Sequence, residues 1–153
     1  MENVGFIGLG TMGLPISINL LNKSKIKIFG FDIEPLRVKE FEKAGGKYSN
    51  VRDIAQNCST IFLCLPTNNS VSETIDEIID NGKEGTIIVD LSSTSPFIII
   101  EEYNKALNKG LYLIDAPVSG GEKGAIDGSL VIMCGGEKKA YEKIKSILEY
   151  ISV

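Results

Sequence analysis

Val4-Gly5-Phe6-Ile7-Gly8-Leu9-Gly10-Thr11-Met12-Gly13 is a short apolar run that turns through three spaced glycines into a stretch of helical character. A strand leading through G-x-G-x-x-G into a helix is the pattern of a pyrophosphate cradle. Each glycine has its own expected task. Gly8 permits the tight turn, Gly10 lets the backbone approach a diphosphate, and Gly13 lets the helix pack against the strand. The helix N-terminus then presents free N–H groups and a partial positive charge to the anion.

The next apolar run supports this reading. Lys25-Ile26-Lys27-Ile28-Phe29-Gly30-Phe31 reads as a second strand and ends in Asp32, at about the separation where Rossmann-type proteins place the carboxylate that binds the adenosine ribose. One carboxylate there accepts hydrogen bonds from both ribose hydroxyls and repels a 2′-phosphate. Ile33 stands where an arginine would clamp that phosphate, so the pair points to NAD in preference to NADP. The alternative is that Asp32 only opens the turn Asp32-Ile33-Glu34-Pro35. It is the weaker reading, because strand, glycine loop and helix are all in register.

A chain of 153 residues suits a single domain with a core of ordinary size. Its net charge of -4 argues against general affinity for nucleic acid or anionic membrane. No stretch has the apolar length of a membrane span, and the N-terminus lacks the basic-then-apolar pattern of a signal peptide. The expectation is a soluble, cytoplasmic protein. Cys58, Cys64 and Cys134 are widely spaced and read as reduced core thiols, not as a disulfide framework or zinc site. The chain has no histidine, which excludes Ser-His and Cys-His nucleophile pairs, histidine metal sites and a histidine base. No metal site is expected.

Apolar runs at Val4 to Ile7, Ile26 to Phe31, Thr60 to Leu65, Thr86 to Asp90, Leu111 to Asp115 and Ser129 to Cys134 predict strands. Amphipathic stretches at Leu14 to Asn22, Leu36 to Ala44, Val51 to Asn57, Ser70 to Asp80, Pro96 to Asn108 and Glu137 to Tyr150 predict helices. This alternation predicts an α/β fold over residues 1–153: a doubly wound, mainly parallel sheet of Rossmann type, with helices on both faces and ligands at the carboxyl edge. Pro15 and Pro35 fall in first helical turns, and Gly45-Gly46 and Gly110 follow helices as stops.

Three loops on that edge carry candidate ligand groups. Leu65-Pro66-Thr67-Asn68-Asn69-Ser70 offers backbone and short polar side chains to the ribose beside the nicotinamide. In Asp90-Leu91-Ser92-Ser93-Thr94-Ser95-Pro96, Ser95 is expected to cap the helix that begins at Pro96. For Ser93, capping and ligand binding remain equally open. Asp115-Ala116-Pro117-Val118-Ser119-Gly120-Gly121 leaves a hydroxyl and unshielded amides facing outward, which suits a carboxylate but also describes a plain glycine-rich turn.

Together, Gly5 to Gly13, Leu65-Pro66-Thr67, Asp90-Leu91-Ser92-Ser93 and Asp115 to Gly121 resemble the β-hydroxyacid dehydrogenase family along essentially the whole chain. That family includes 3-hydroxyisobutyrate dehydrogenase, with 6-phosphogluconate dehydrogenase as a more distant relative. The resemblance implies that Gly8, Leu9, Gly10, Thr11, Met12, Gly13, Asp32 and Ile33 bind the dinucleotide. It also implies that Leu65, Pro66, Thr67, Ser70 and Ser93 line its nicotinamide side, and that Ser119, Gly120 and Gly121 hold the carboxylate of a small substrate. The implied reaction moves a hydride between nicotinamide and a small hydroxy acid.

In the family the acid/base group is a lysine on a long helix after this domain, within an all-helical domain that also forms homodimers or homotetramers. The sequence ends at Val153, before that helix, so the expectation is an N-terminal fragment or truncated product that is inactive alone and holds no catalytic residue. Lys138, Lys139, Lys143 and Lys145 read as a solvated helix face. Lys123 has no neighbour that would lower its pKa. Other readings are a stand-alone nucleotide-binding module, an imine reductase and a 6-phosphogluconate-type enzyme. The carboxylate-suited Asp115 to Gly121 loop disfavours an imine reductase, and the lack of a nearby phosphate-binding arginine disfavours a 6-phosphogluconate-type enzyme.

Overall fold

A computed structural model describes residues 2–153; Met1 lies outside the described residues. The order is β1 (Asn3–Ile7), α1 (Gly13–Lys23), β2 (Lys27–Phe31), α2 (Pro35–Lys43), β3 (Lys47–Tyr48), α3 (Val51–Asn57), β4 (Thr60–Leu63) and α4 (Asn68–Asn81). It continues with β5 (Ile87–Asp90), α5 (Pro96–Asn108), β6 (Tyr112–Asp115), β7 (Val118–Ser119), α6 (Gly121–Asp127), β8 (Val131–Ile132) and α7 (Lys138–Leu148). Six strands form one sheet in the order β3-β2-β1-β4-β5-β6, and every pairing within it is parallel. This is the Rossmann-type architecture that the alternation predicts.

Period-two alternation sorts the strand residues into two cores. Val4, Phe6, Phe62, Val89 and Ile114 join a cluster with Leu14, Leu20 and Phe41 of α1 and α2 and with Ile144 and Ile147 of α7. Ile7, Ile61, Leu63, Ile88 and Leu113 join the opposite cluster with Ile54, Ile75, Ile78 and Ile99 of α3, α4 and α5. Both faces are covered, so β4 and β5 are buried at every position, as parallel strands require. Each fully buried aliphatic or aromatic side chain contributes about 1.5–3 kcal/mol.

Several local expectations are corrected. The run Thr60 to Leu65 ends as a strand at Leu63; Cys64 still donates its N–H to the Ile7 carbonyl at 2.9 Å, and the Leu65 N–H goes to a side-chain acceptor instead of a neighbouring strand. The run Ser129 to Cys134 is not a strand of the main sheet. Val131 and Ile132 pair antiparallel to β7 in a separate two-stranded ribbon, Leu130 bridges to Ser152, and Gly135 makes a single antiparallel bridge to Asp115. Cys134 is consequently exposed; Cys58 is buried and Cys64 intermediate, and all three thiols are free. Ser95 stands at the N-cap of α5, but its side chain makes no capping bond. The loop is held instead by the Ser95 N–H donating to Asn68 Oδ1 at 3.0 Å.

The sequence reading misses β3, β7 and α6. β3 is two exposed residues without an apolar run. α6 is flanked by glycine at both caps, Gly120 and Gly128, and is held by tertiary contact. Asn19 of α1 donates from Nδ2 to the carbonyls of Ala125 at 2.7 Å and Ile126 at 3.0 Å, satisfying two acceptors that the short helix leaves open. Asn19→Ala is therefore expected to lower stability by about 1–3 kcal/mol, read by urea denaturation. Parent-like stability would mean that water satisfies those carbonyls.

Candidate functional site

At the end of β1 the chain turns on Gly8, whose φ is +98° and whose N–H donates to the Phe31 carbonyl at 2.9 Å. A Cβ on Gly8 would lie 2.1 Å from the Cys64 carbonyl oxygen, and one on Gly13 would lie 1.9 Å from the Gly8 carbonyl oxygen. These two glycines are required by the protein's own packing. Gly10 is different: a Cβ there meets nothing within 4 Å. No contact inside the protein demands a glycine at this point, and the open space faces the start of α1. Met12 at the N-cap makes no side-chain capping bond, and the first turn carries no acidic residue. Free amides and open space together suit an anion.

Leu9 is fully buried, so its contribution is its backbone. Its N–H donates to Asp32 Oδ2 at 2.6 Å, tying the glycine loop to the end of β2. Asp32 Oδ1 accepts the Glu34 N–H at 2.8 Å. Asp32 thus both opens its own turn and braces the loop. A carboxylate has about four acceptor positions, which leaves capacity for two ribose hydroxyls.

These residues form one wall of a cleft of about 630 Å³, within the range of small-molecule sites. It opens outside the carboxyl ends of β1 and β4, where the strand order reverses and doubly wound sheets bind ligands. Gly8, Gly10, Thr11, Met12 and Gly13 line one side, and Asp32 and Ile33 line the end. Leu65, Pro66 and Ser70 face them. Ile33 is 86% exposed, a bare apolar side chain at the cleft mouth. Thr67 is instead the N-cap of α4, where it and Ser70 form a reciprocal capping box. Ile7, Phe31, Glu34, Cys64, Glu73 and Thr74 also line the cleft and are not among the residues expected from the motifs. Glu73 and Thr74 lie three and four residues after Ser70, so helical spacing was the available signal.

The β5 and β6 ends meet beside this cleft, with Asp90 opposite Asp115 in register. Asp90 is fully buried. Burial raises its carboxyl above the ordinary range, opposed by hydrogen bonds from Thr94 and Ser92. Burial also raises Asp115, with Asp90 adding repulsion. The Cys64 thiol is pushed up to about 11 by burial and by Asp90. Ser93 is exposed and does not line the cleft.

Ser119, Gly120 and Gly121 are also exposed and lie outside the cleft lining. Gly120 and Gly121 have φ values of +137° and +63°, so the backbone doubles back between β7 and α6. Lys123 is exposed and paired with Asp127, which raises its pKa and makes it a poor base.

The NAD binding domain of 6-phosphogluconate dehydrogenase is the family whose pattern matches residues 3–153. The chain is 39% identical to the 2-(hydroxymethyl)glutarate dehydrogenase of Eubacterium barkeri, over 97% of this chain and 50% of that protein. It is 36% identical to the mitochondrial 3-hydroxyisobutyrate dehydrogenase of Drosophila melanogaster, over 97% of this chain and 46% of that one. The 3-hydroxyisobutyrate dehydrogenase of Mycobacterium tuberculosis, solved with L-serine, superposes with a TM-score of 0.95 at 28% identity, over 99% of this chain and 52% of that one. The chain spans about half the length of the curated relatives it matches. Among the described residues, no helix is long and apolar enough to cross a membrane.

Gly10→Val is expected to abolish NADH binding while leaving the circular dichroism spectrum and melting temperature near parental values, because its side chain enters space that only a ligand would use. Gly13→Ala is expected instead to destabilise by about 1–3 kcal/mol or more, since its Cβ overlaps backbone. A folded Gly10→Val that binds as the parent does would remove the cradle from this loop.

The raised Asp90 carboxyl gives a pH signature of defined sign. An acid whose folded pKa exceeds its unfolded value of about 3.9 contributes stability that is full below that value and lost as pH rises through the folded pKa. Asp90→Asn is expected to be more stable than the parent at neutral pH and to show a flatter stability profile as pH rises above the ordinary carboxylate range of about 3.9. Parallel profiles for the two proteins would show that Asp90 ionises as freely folded as unfolded.

Proposed function

Because the chain belongs to the family of the NAD binding domain of 6-phosphogluconate dehydrogenase, we propose that its 630 Å³ cleft binds NAD in preference to NADP. The observation that carries the reading is Gly10, the glycine that no protein contact requires. The diphosphate lies over Gly10 and the free amides of α1, held by N–H donors and the helix dipole. Asp32 accepts the adenosine ribose hydroxyls, and Ile33 packs beneath the base. Leu65, Pro66, Thr67, Ser70 and Ser93 serve the nicotinamide side, as in the family that the motifs resemble. Preference for NAD follows from charge: Asp32, Glu34 and Glu73 line the cleft without a lysine or arginine among the lining residues. A 2′-phosphate would meet carboxylates and no counter-charge.

When bound, the nicotinamide ring supplies hydride transfer. The substrate class we assign is a small 3-hydroxy carboxylate. The matching relatives support this, since 2-(hydroxymethyl)glutarate and 3-hydroxyisobutyrate both carry a primary alcohol on the carbon next to the one bearing a carboxylate. Ser119, Gly120 and Gly121 form one wall of the carboxylate site, with a hydroxyl and unshielded amides as donors. Lys123 is paired with Asp127, and in the family that the motifs resemble the proton is moved by a lysine of a separate helical domain that also forms the homodimer or homotetramer; we assign proton transfer to such a group and not to Lys123. The three free thiols fit a reducing compartment such as the cytoplasm.

Calorimetric titration tests the cofactor assignment. NADH is expected to bind at least about tenfold more tightly than NADPH, a difference of about 1.4 kcal/mol. Asp32→Asn combined with Ile33→Arg is expected to reverse the order. Equal or tighter NADPH binding by the parent would overturn the preference, and an unaltered ratio in the double variant would remove Asp32 from the ribose.

A further inference from the structure

The β4–β5 ladder ends with Leu63 opposite Asp90, and one further backbone bond runs from the Leu91 N–H to the Leu63 carbonyl at 2.8 Å. By then β4 has turned into the Cys64 to Pro66 wall of the cleft. The next amide of that wall, Leu65 N–H, is not taken by a backbone carbonyl among the described residues. It donates to the Ser92 hydroxyl oxygen at 2.9 Å. The serine side chain replaces the carbonyl that a longer β5 would have supplied.

Ser92 is itself held from behind. Its N–H donates to Asp90 Oδ1 at 3.0 Å, and the other Asp90 oxygen accepts from the Thr94 hydroxyl at 2.6 Å. Asp90 and Ser92 are 0% and 5% exposed, so bulk water does not readily take over either bond. On the far side of the wall, a Cβ on Gly8 would lie 2.1 Å from the Cys64 oxygen and 3.1 Å from Leu65 Cδ2. The wall therefore packs on the glycine turn with no room for a Cβ between them, and both line the cleft.

We propose that Ser92, clamped by Asp90, is a positioning residue for dinucleotide binding that acts through the Leu65 amide. It touches no ligand. It holds the Leu65–Pro66 wall at the separation from the Gly8–Gly13 loop that the cofactor needs. The assignment rests on the dinucleotide reading of the cleft. A serine with only a structural role would cost stability when removed. A positioning serine costs affinity as well, in proportion to the displacement of one identifiable amide.

The test titrates NADH into the 153-residue chain as parent, Ser92→Ala, Ser92→Thr, Thr94→Val and Ile147→Val, the last a stability control in the α7 core. Ser92→Ala is expected to weaken binding about five- to twentyfold, the range set by one buried hydrogen bond. Ser92→Thr restores most of it, Thr94→Val loses about two- to fivefold by freeing Asp90, and Ile147→Val binds as the parent does. In the amide NMR spectrum the Leu65 proton moves upfield in Ser92→Ala. Parental affinity in a folded Ser92→Ala whose Leu65 amide has moved would overturn the proposal. So would parental affinity in Thr94→Val if Ser92→Ala fails to fold. A parent that does not bind NADH would overturn the dinucleotide reading itself, and this proposal with it; binding by the parent with no loss in the variants would overturn the positioning role alone.

Discussion

Backbone packs directly on backbone where β1 ends. The Gly8 α-carbon sits against the Cys64 carbonyl, and the Gly13 α-carbon sits against the Gly8 carbonyl, so the exits of two neighbouring strands and the start of α1 share one small volume. No side chain larger than hydrogen fits at either point. This close approach brings the N-terminus of α1 over the strand ends with its amides open, and it leaves the crevice between β1 and β4 as the place where a ligand can reach them. The leucine between these glycines is drawn into the core, and its N–H reaches across to Asp32. Loop, helix and second strand are thereby one rigid unit.

The carboxyl edge carries the polar groups that a sheet buried on both faces cannot place elsewhere. Asp90 is enclosed and hydrogen-bonded by Ser92 and Thr94, and burial makes its carboxyl harder to ionise; Asp115, opposite it on the adjacent strand, is raised by its own burial and then by the Asp90 charge. Such an arrangement costs stability at neutral pH. Concentrated electrostatic strain of this kind is more common at binding edges than in ordinary core. A second buried carboxylate lies away from the cleft, between α4 and α5. Glu102 accepts from Ser72 and Lys105, while its Oε2 has no partner. The Ser72 bond joins α4 to α5 on the face opposite α1, the Lys105 bond lies within α5, and burial raises the Glu102 carboxyl.

The cleft and the Ser119–Gly121 turn were both legible as motifs, but to different depths. Of the expected cofactor residues, Asp32, Ile33, Leu65, Pro66, Ser70 and those on the glycine loop other than the core residue Leu9 converge on one cavity. They converge because parallel topology sends every strand's exit loop to the same edge. Glu73 and Thr74 lie one turn beyond Ser70 on α4 and read as ordinary surface positions of an amphipathic helix; only the packing of α4 beside the glycine loop turns that face to the cleft. Ser92 escaped because its partner, the Leu65 amide, is 27 residues away in the chain. A serine beside two other hydroxyl residues carries no local mark of which one is buried.

By itself the sequence determined the strand-helix alternation, the glycine cradle and the acidic end of β2. Those features rest on local chemistry: periodicity, backbone freedom at glycine, and a carboxylate at a set separation. Tertiary structure decided the rest. β3 is a strand only because β2 lies beside it; its two residues are exposed and have no pattern of their own. α6 is a helix because Asn19 and Leu130 receive it, against the preference of its glycines. The Ser129 to Cys134 run leaves the main sheet because Leu130 pairs with the chain end at Ser152 and β7 captures Val131 and Ile132. In each case the deciding energy comes from a partner distant in the chain, and such a partner has no signature in the residues that respond to it.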